Sequence, residues 1–204
     1  MSDGVFAFAM TLLVISLVSP TTTTIATNGK LGAYLNHLFV SQNGHPGPFE
    51  VYAIGFVIIA VWWRLHVRIF RDIKAADGTI FWLDVLYLLF VAVTPFTISI
   101  VLNFGSDPYA GAFYSADQMF VGLMGATIRL QCHRRPELNK GPAPTDRQVL
   151  ALFATPGVFG AATLVSLVSP IAAEVLWFGA VVVGGFIRRF DSTEKLRLKA
   201  GEIG

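Results

Sequence analysis

Six apolar runs, each near the length of a bilayer-crossing helix, alternate along this chain with polar connectors. They cover about residues 4–20, 49–63, 79–102, 109–127, 149–168 and 171–187. A helix rises 1.5 Å per residue, and roughly 17–25 apolar residues cross the hydrocarbon. A long polar connector, 21–48, follows the first run, and its middle, 31–40, reads as a short surface helix. Asp77-Gly78 marks a turn, Pro95 interrupts the third run, 103–108 is a turn-rich loop, and Gly141-Pro142-Ala143-Pro144 is a linker. Ser169-Pro170 punctuates the last two runs, and the charged tail 188–204 reads as helical or disordered. The runs are continuously apolar, without the alternation of barrel strands, so spanning helices are predicted. No internal repeat of the six-helix unit and no low-complexity segment stands out.

Composition agrees with the pattern. The 204 residues are 54% hydrophobic and 14% charged, against about 25% charged in soluble domains. The predicted class is an all-α integral membrane protein, a single domain of six transmembrane helices over 1–204. Cys132 stands alone and excludes an internal disulfide. No basic stretch precedes the first run and no small-residue cleavage site follows it, so no removable signal peptide is expected.

Charge then sets the orientation. Arg64, Arg68, Arg71 and Lys74 lie after run two; Arg129, Arg134, Arg135, Lys140 and Arg147 lie after run four. Arg188, Arg189, Lys195, Arg197 and Lys199 follow run six, which leaves only Lys30 on the other side. The positive-inside rule predicts both termini and these loops in the cytoplasm. Because the basic residues flank apolar runs, a nucleic-acid partner is not expected.

The chain carries no HExxH, CxxC, Walker loop or GxSxG, and its four His and one Cys show no metal-pair spacing. No catalytic residue, metal or cofactor is predicted, and the protein is not expected to be an enzyme. Cys132 and His133 are adjacent, and helical neighbours point in different directions. Asp3, His66 and Asp84 fall at a similar depth near the inner face. They form either a structural clamp or a pH-responsive group. Along the first run, Gly4, Phe8, Thr11 and Ile15 share one helical face with Leu12 beside it. That face suits either a dry pore constriction or ordinary packing, and the Thr11 hydroxyl either meets a cation or bonds its own helix. Thr21 to Thr24 coat an outer mouth or a solvated loop. Asp117 falls near mid-depth of run four, where it is expected buried and either neutral or paired, as a fold-holding group or part of a proton or ion path. Glu50 and Glu174 begin runs on the outer side, where a carboxylate suits a helix N-terminus. Trp62, Trp63, Trp82, Tyr87 and Trp177 mostly read as interface anchors.

Three of these stretches together resemble a known family. Ser2-Asp3-Gly4-Val5-Phe6-Ala7 with Thr11-Leu12-Leu13 resembles the first-helix signature of TMEM175-type potassium channels, phenylalanine-serine-aspartate before an apolar helix. Trp63-Arg64-Leu65-His66 is similar to the tryptophan-x-x-histidine end of the family's second helix, and Trp82 to Val91 with Pro95-Phe96-Thr97 to its third. The resemblance covers roughly the first half of the chain. It implies a homotetramer of six-helix subunits with helix one lining the pore and no TVGYG filter. It places the pore constriction on Phe8, Leu12 and Ile15, a selectivity role on Thr11, and a signature polar cluster on Ser2, Asp3, His66 and Asp84. Three positions depart from the pattern: Met1 where the signature has phenylalanine, Phe8 where a smaller aliphatic is usual, and Asp84 where asparagine is usual.

The expectation is therefore a plasma-membrane, multi-pass cation channel, potassium over sodium, gated by a hydrophobic constriction on helix one, with proton permeation open. Its expected partners are three further copies of itself, the bilayer and potassium ions. The alternatives are a secondary or proton-coupled transporter using Asp117, or a non-transporting membrane scaffold.

Overall fold

The helices that start at Pro48, Gly78, Pro108 and Asp146 begin where the sequence supplies a cap. Asp77 accepts from the N–H of Ile80 at 2.8 Å, Asp107 from that of Tyr109 at 2.8 Å, and Thr145 and Gln148 cap reciprocally. Such side chains satisfy N–H groups that have no partner in a helix's first turn, each for about 1 kcal/mol. Pro48 and Pro108 occupy first helical positions, where a missing N–H costs nothing. Glu50 accepts from the N–H of Gly47 at 3.1 Å, the role expected of a carboxylate at a helix start.

The computed structural model describes residues 2–15, 32, 38–39 and 47–179. The helices are α1 (Ser2–Ile15), α2 (Pro48–Arg71), α3 (Gly78–Phe104), α4 (Pro108–Arg134), α5 (Asp146–Ser166) and α6 (Pro170–Gly179). A 3₁₀ turn, Pro136–Leu138, follows α4. The expected end of run one beyond Ile15, the 31–40 helix in most of its length, Thr21 to Thr24, Lys30, the end of run six and the 188–204 tail lie outside the described residues. So does Met1.

Three helices are long and apolar enough to cross a membrane by themselves: 48–71, 78–104 and 148–166. The described parts of α1 and α6 are shorter apolar helices, and α4 is long but more polar. Among the described residues no strand forms, only an isolated antiparallel bridge between Ile73 and Asn139. Helices α2 and α4 run on past the ends of their apolar runs, to Arg71 and Arg134. Nor does Pro95 interrupt α3, which continues through it. Proline removes one ladder bond there. Beside it, Thr97 donates to the Thr94 carbonyl at 2.9 Å.

Helix α4 packs between α3 and α5, while α1 lies against α2 and α3. One core joins Phe6 and Leu13 of α1, Ile59 of α2, Tyr87 and Val91 of α3, Val121 of α4 and Phe159 of α5. A smaller one, with Ile69, Ile80, Ile128 and Cys132, sits toward the basic loops. Those two loops meet. Lys74 N–H donates to the Leu138 carbonyl at 2.7 Å, and Lys140 N–H to that of Asp72 at 2.9 Å. Both basic connectors thus lie at one end of the bundle, as their charge predicts for a shared membrane side.

Candidate functional site

Helix α1 enters the bundle beside the ends of α2 and α3. Trp63 donates its indole N–H to Asp3 Oδ1 at 2.8 Å. One turn on, His66 Nε2 lies 2.6 Å from Asp84 Oδ1. The His66 ring stacks on Phe70 at 4.5 Å and sits 5.4 Å from Phe6 and 5.2 Å from Tyr87. Tyr87 donates its hydroxyl to the Trp62 carbonyl at 3.1 Å. Ser2, Asp3 and His66 line one hollow with Phe70 and Arg71. The residues linked by depth in the sequence are therefore brought together across three helices. Within the group, Asp84 is the carboxylate on His66, and Asp3 is held by Trp63.

Trp63 reads from the sequence as an interface anchor and as the tryptophan of the tryptophan-x-x-histidine stretch, but not as a member of the polar cluster that it joins through Asp3. An indole N–H is donor-only and needs an acceptor. Trp63 and His66, three apart, share a helix face, and that was the available signal. Trp62, Tyr87 and Trp177 also depart from the interface-anchor expectation. Trp62 and Tyr87 are buried, and Trp177 donates to Ser115 Oγ at 2.8 Å while its ring meets Tyr114 edge-on. Trp82 is exposed.

The two faces of α1 differ. Phe6, Ala9 and Leu13 are buried in the core, whereas Gly4, Phe8, Thr11 and Val14 are exposed, Phe8 to 63%. Leu12 is half-buried, at the edge between the faces. The side chain of Ile15 lies outside the described residues. Thr11 donates its hydroxyl to the Phe8 carbonyl at 2.8 Å. The local bond is therefore made, and the oxygen keeps its lone pairs.

A second polar group sits deep in the bundle. Asp117 Oδ2 lies 2.9 Å from Thr94 Oγ1, 3.1 Å from Gln118 Nε2 and 3.3 Å from Thr97 Oγ1. Gln118 Oε1 accepts from Trp62 Nε1 at 2.7 Å. Asp117, Gln118, Thr94 and Thr97 are all buried. The expectation of a buried Asp117 holds, and its companions come from α2 and α3 as well as from its own helix.

At the end with the basic loops, Asp77 holds α4 as well as capping α3. Arg135 Nη1 lies 3.0 Å and Gln131 Nε2 3.3 Å from its Oδ2. The N–H of Ile80 above all, with Gln131 and Arg135 adding, holds the Asp77 carboxyl below its ordinary range against a smaller burial effect. Arg129 reaches Asp72 Oδ2 at 3.0 Å. His133 bridges the Pro144 carbonyl at 2.6 Å and Asp146 at 2.9 Å, while Cys132 is buried, so the two point apart. Among the described residues no group of three or more His, Cys, Asp or Glu is placed to hold a metal.

Comparison with known proteins now bears on these positions. Residues 1–95 match the family described as endosomal/lysosomal potassium channel TMEM175. The chain is 25% identical over 137 residues to the endosomal/lysosomal proton channel TMEM175 of Gallus gallus, covering 67% of this chain and 26% of that protein. It is 30% identical over 127 residues to a potassium channel of Chamaesiphon minutus, covering 58% of this chain and 59% of that one. A potassium channel of Streptomyces collinus is 28% identical over 126 residues, covering 60% and 56%. The chain thus spans less than two thirds of the length of each of these relatives. Its fold is that of a crystallised potassium-selective TMEM175 homolog from Chamaesiphon minutus. The TM-score is 0.71 at 22% identity, over 91% of this chain and 94% of that one. A crystallised variant of the potassium channel MtTMEM175 superposes with TM-score 0.62 at 16% identity, over 94% and 91%. The matched residues 1–95 hold Asp3, Trp63, His66 and Asp84, and that match and these relatives support a likeness of this chain to the TMEM175-type channel family.

Proposed function

We propose that this chain is one subunit of a homotetrameric, potassium-conducting cation channel in the plasma membrane, with six spans and cytoplasmic termini. Its pore is lined by the bare face of α1. The observation that carries this reading is the split of α1: Phe6, Ala9 and Leu13 anchor it in the core, while Gly4, Phe8, Thr11 and Val14 stay uncovered within the subunit. An uncovered apolar face suits lipid equally well. The family likeness tips it toward an axis shared by several copies, since relatives are named potassium channels. One relative is named a proton channel, which keeps proton permeation within the reading.

Phe8, Leu12 and Ile15 are the proposed constriction, narrow and dry enough to gate by excluding water. At Thr11 the hydroxyl proton is committed to the Phe8 carbonyl, so the oxygen presents lone pairs outward. An oxygen held that way offers a partial replacement for a cation's hydration. Asp3 with Trp63, and His66 with Asp84, fix the entry of α1 and so the angle of the lining helix.

The test is electrical. Purified protein in planar bilayers should give stepwise potassium currents with a reversal potential favouring potassium over sodium. Folded protein without cation conductance, or uptake that saturates without unitary steps, sinks the channel reading. Replacing Thr11 by Val should move the reversal potential toward that of sodium, and an unchanged value removes Thr11 from selectivity.

A further inference from the structure

We propose that Asp117 is a proton-binding site inside the subunit, away from the α1 face, and that its bound proton holds α2, α3 and α4 together. Asp117 is 5% exposed, and its two carboxyl oxygens differ sharply. Oδ2 has three potential partners, at 2.9, 3.1 and 3.3 Å. Oδ1 is buried with none. An ionised carboxylate shares its charge over both oxygens, so Oδ1 would carry its share unsolvated. That is among the costliest burials a protein can make. A neutral acid leaves there only a carbonyl oxygen, a far smaller penalty.

The donors and acceptors fit the neutral acid. The Trp62 indole only donates, so Gln118 turns its oxygen to Trp62 and its NH₂ toward Asp117. An NH₂ aimed into the site opposes a metal cation and tolerates a carboxylic acid. Each threonine hydroxyl has one proton to give. Thr94 Oγ1 also lies 3.1 Å from the Phe90 carbonyl, and Thr97 Oγ1 lies 2.9 Å from that of Thr94. If the hydroxyls donate to these carbonyls, each oxygen is left as an acceptor facing Oδ2. A proton on Oδ2 then donates to Thr94, and the chain of bonds closes.

Among the described residues, no charge on the surrounding helices substitutes for that proton. On α4 itself the titratable neighbour is Tyr114, one turn before and buried. Helix α3 presents Thr94 and Thr97, and its His66-paired Asp84 lies ten residues back, roughly 15 Å along the axis. Helix α2 presents Trp62. Helix α5 has no Asp, Glu, Lys, Arg or His from Val149 to Ser166, α1 has only Asp3 at its far end, and Glu174 of α6 is exposed. The ion pairs among the described residues do not involve Asp117.

Infrared spectroscopy of the full chain in lipid at neutral pH tests this. The wild-type spectrum should contain a protonated-carboxyl C=O stretch that Asp117→Asn abolishes. The melting temperature of wild type should fall as pH is raised, and that slope should be lost in Asp117→Asn, which mimics the neutral acid. A spectrum unchanged by the substitution, or a parallel fall in both proteins, overturns the proposal. Should Asp117→Asn not fold, Thr94→Val keeps the carboxyl but removes its acceptor. The band should then shift to the higher frequency of a freer acid, and an absent or unshifted band overturns the proposal.

Discussion

Helices α1 and α4 invert the soluble-protein rule. Helix α1 is almost wholly apolar, yet one of its faces is bare. Helix α4 is the more polar, and nearly half of it is buried, including Ser115, Asp117 and Gln118. Lipid is as apolar as leucine, so hydrophobicity does not drive helices together inside a membrane. Close approach of small residues and satisfied polar bonds do. Helix α4 supplies both. Gly111, Gly122 and Gly125 admit Ser166, Pro156 with Trp62, and Tyr87 against its backbone. A hydrophobic stretch there says only that the residue is not in water.

The contrast can be broken most forcefully at Gly122. A side chain added there begins 3.2 Å from Pro156 and 3.3 Å from Trp62. Gly122→Leu should cost about 1–3 kcal/mol or more, read as a lower melting temperature in detergent. No loss would mean that α4 is not held by close packing. Next is Gln118→Leu, which strands the Trp62 indole N–H and removes one donor from Asp117. A buried unpaired donor costs about 1–3 kcal/mol, and a thermal melt against wild type measures it.

Asp77→Ala should cost about 1 kcal/mol for the lost cap, with the Arg135 tie adding little because that side chain is half exposed. The effect carries a sign in pH. Asp77 releases its proton more readily folded than unfolded, so its contribution is complete above about pH 4 and disappears as pH falls through the depressed value. The difference in melting temperature between wild type and Asp77→Ala should therefore shrink in acid. Smallest in stability is Phe8→Ala, on the bare face of α1. It should change subunit stability by less than about 0.5 kcal/mol while raising basal cation leak through the proposed constriction. A large stability loss would mean that Phe8 packs within the subunit or against lipid-facing neighbours, and would sharpen the comparison in the other direction.

Much of the candidate site was legible in the residues. Asp3, His66 and Asp84 meet near one end because topology and rise per residue fix their depth. The partnership inside the group was not, because a change of helix rotation decides whether Asp84 or Asp3 faces His66. Trp62 and Trp63 show this well. As neighbours they point in different directions, one inward to Gln118 and one along the helix end to Asp3. An aromatic residue near a membrane boundary reads the same from sequence in either role. Pro95 was misjudged for a related reason. A proline within a membrane helix is tolerated where neighbouring helices pack around the break, and Pro95 is itself buried.

Sequence alone determined the class, the helical architecture, the shared side of the basic loops and the family signature. Length, charge and the need to satisfy every backbone group in lipid leave few other solutions. The tertiary structure decided which face of each helix turns inward. In a bilayer both faces are apolar, so the periodicity that separates core from surface in water is nearly silent. Burying α1 by Phe6, Ala9 and Leu13, freeing Phe8 and Thr11, and closing Asp117 against Thr94, Thr97 and Gln118 all depend on how neighbouring helices fit. That fit is set by close contacts among residues far apart in the chain.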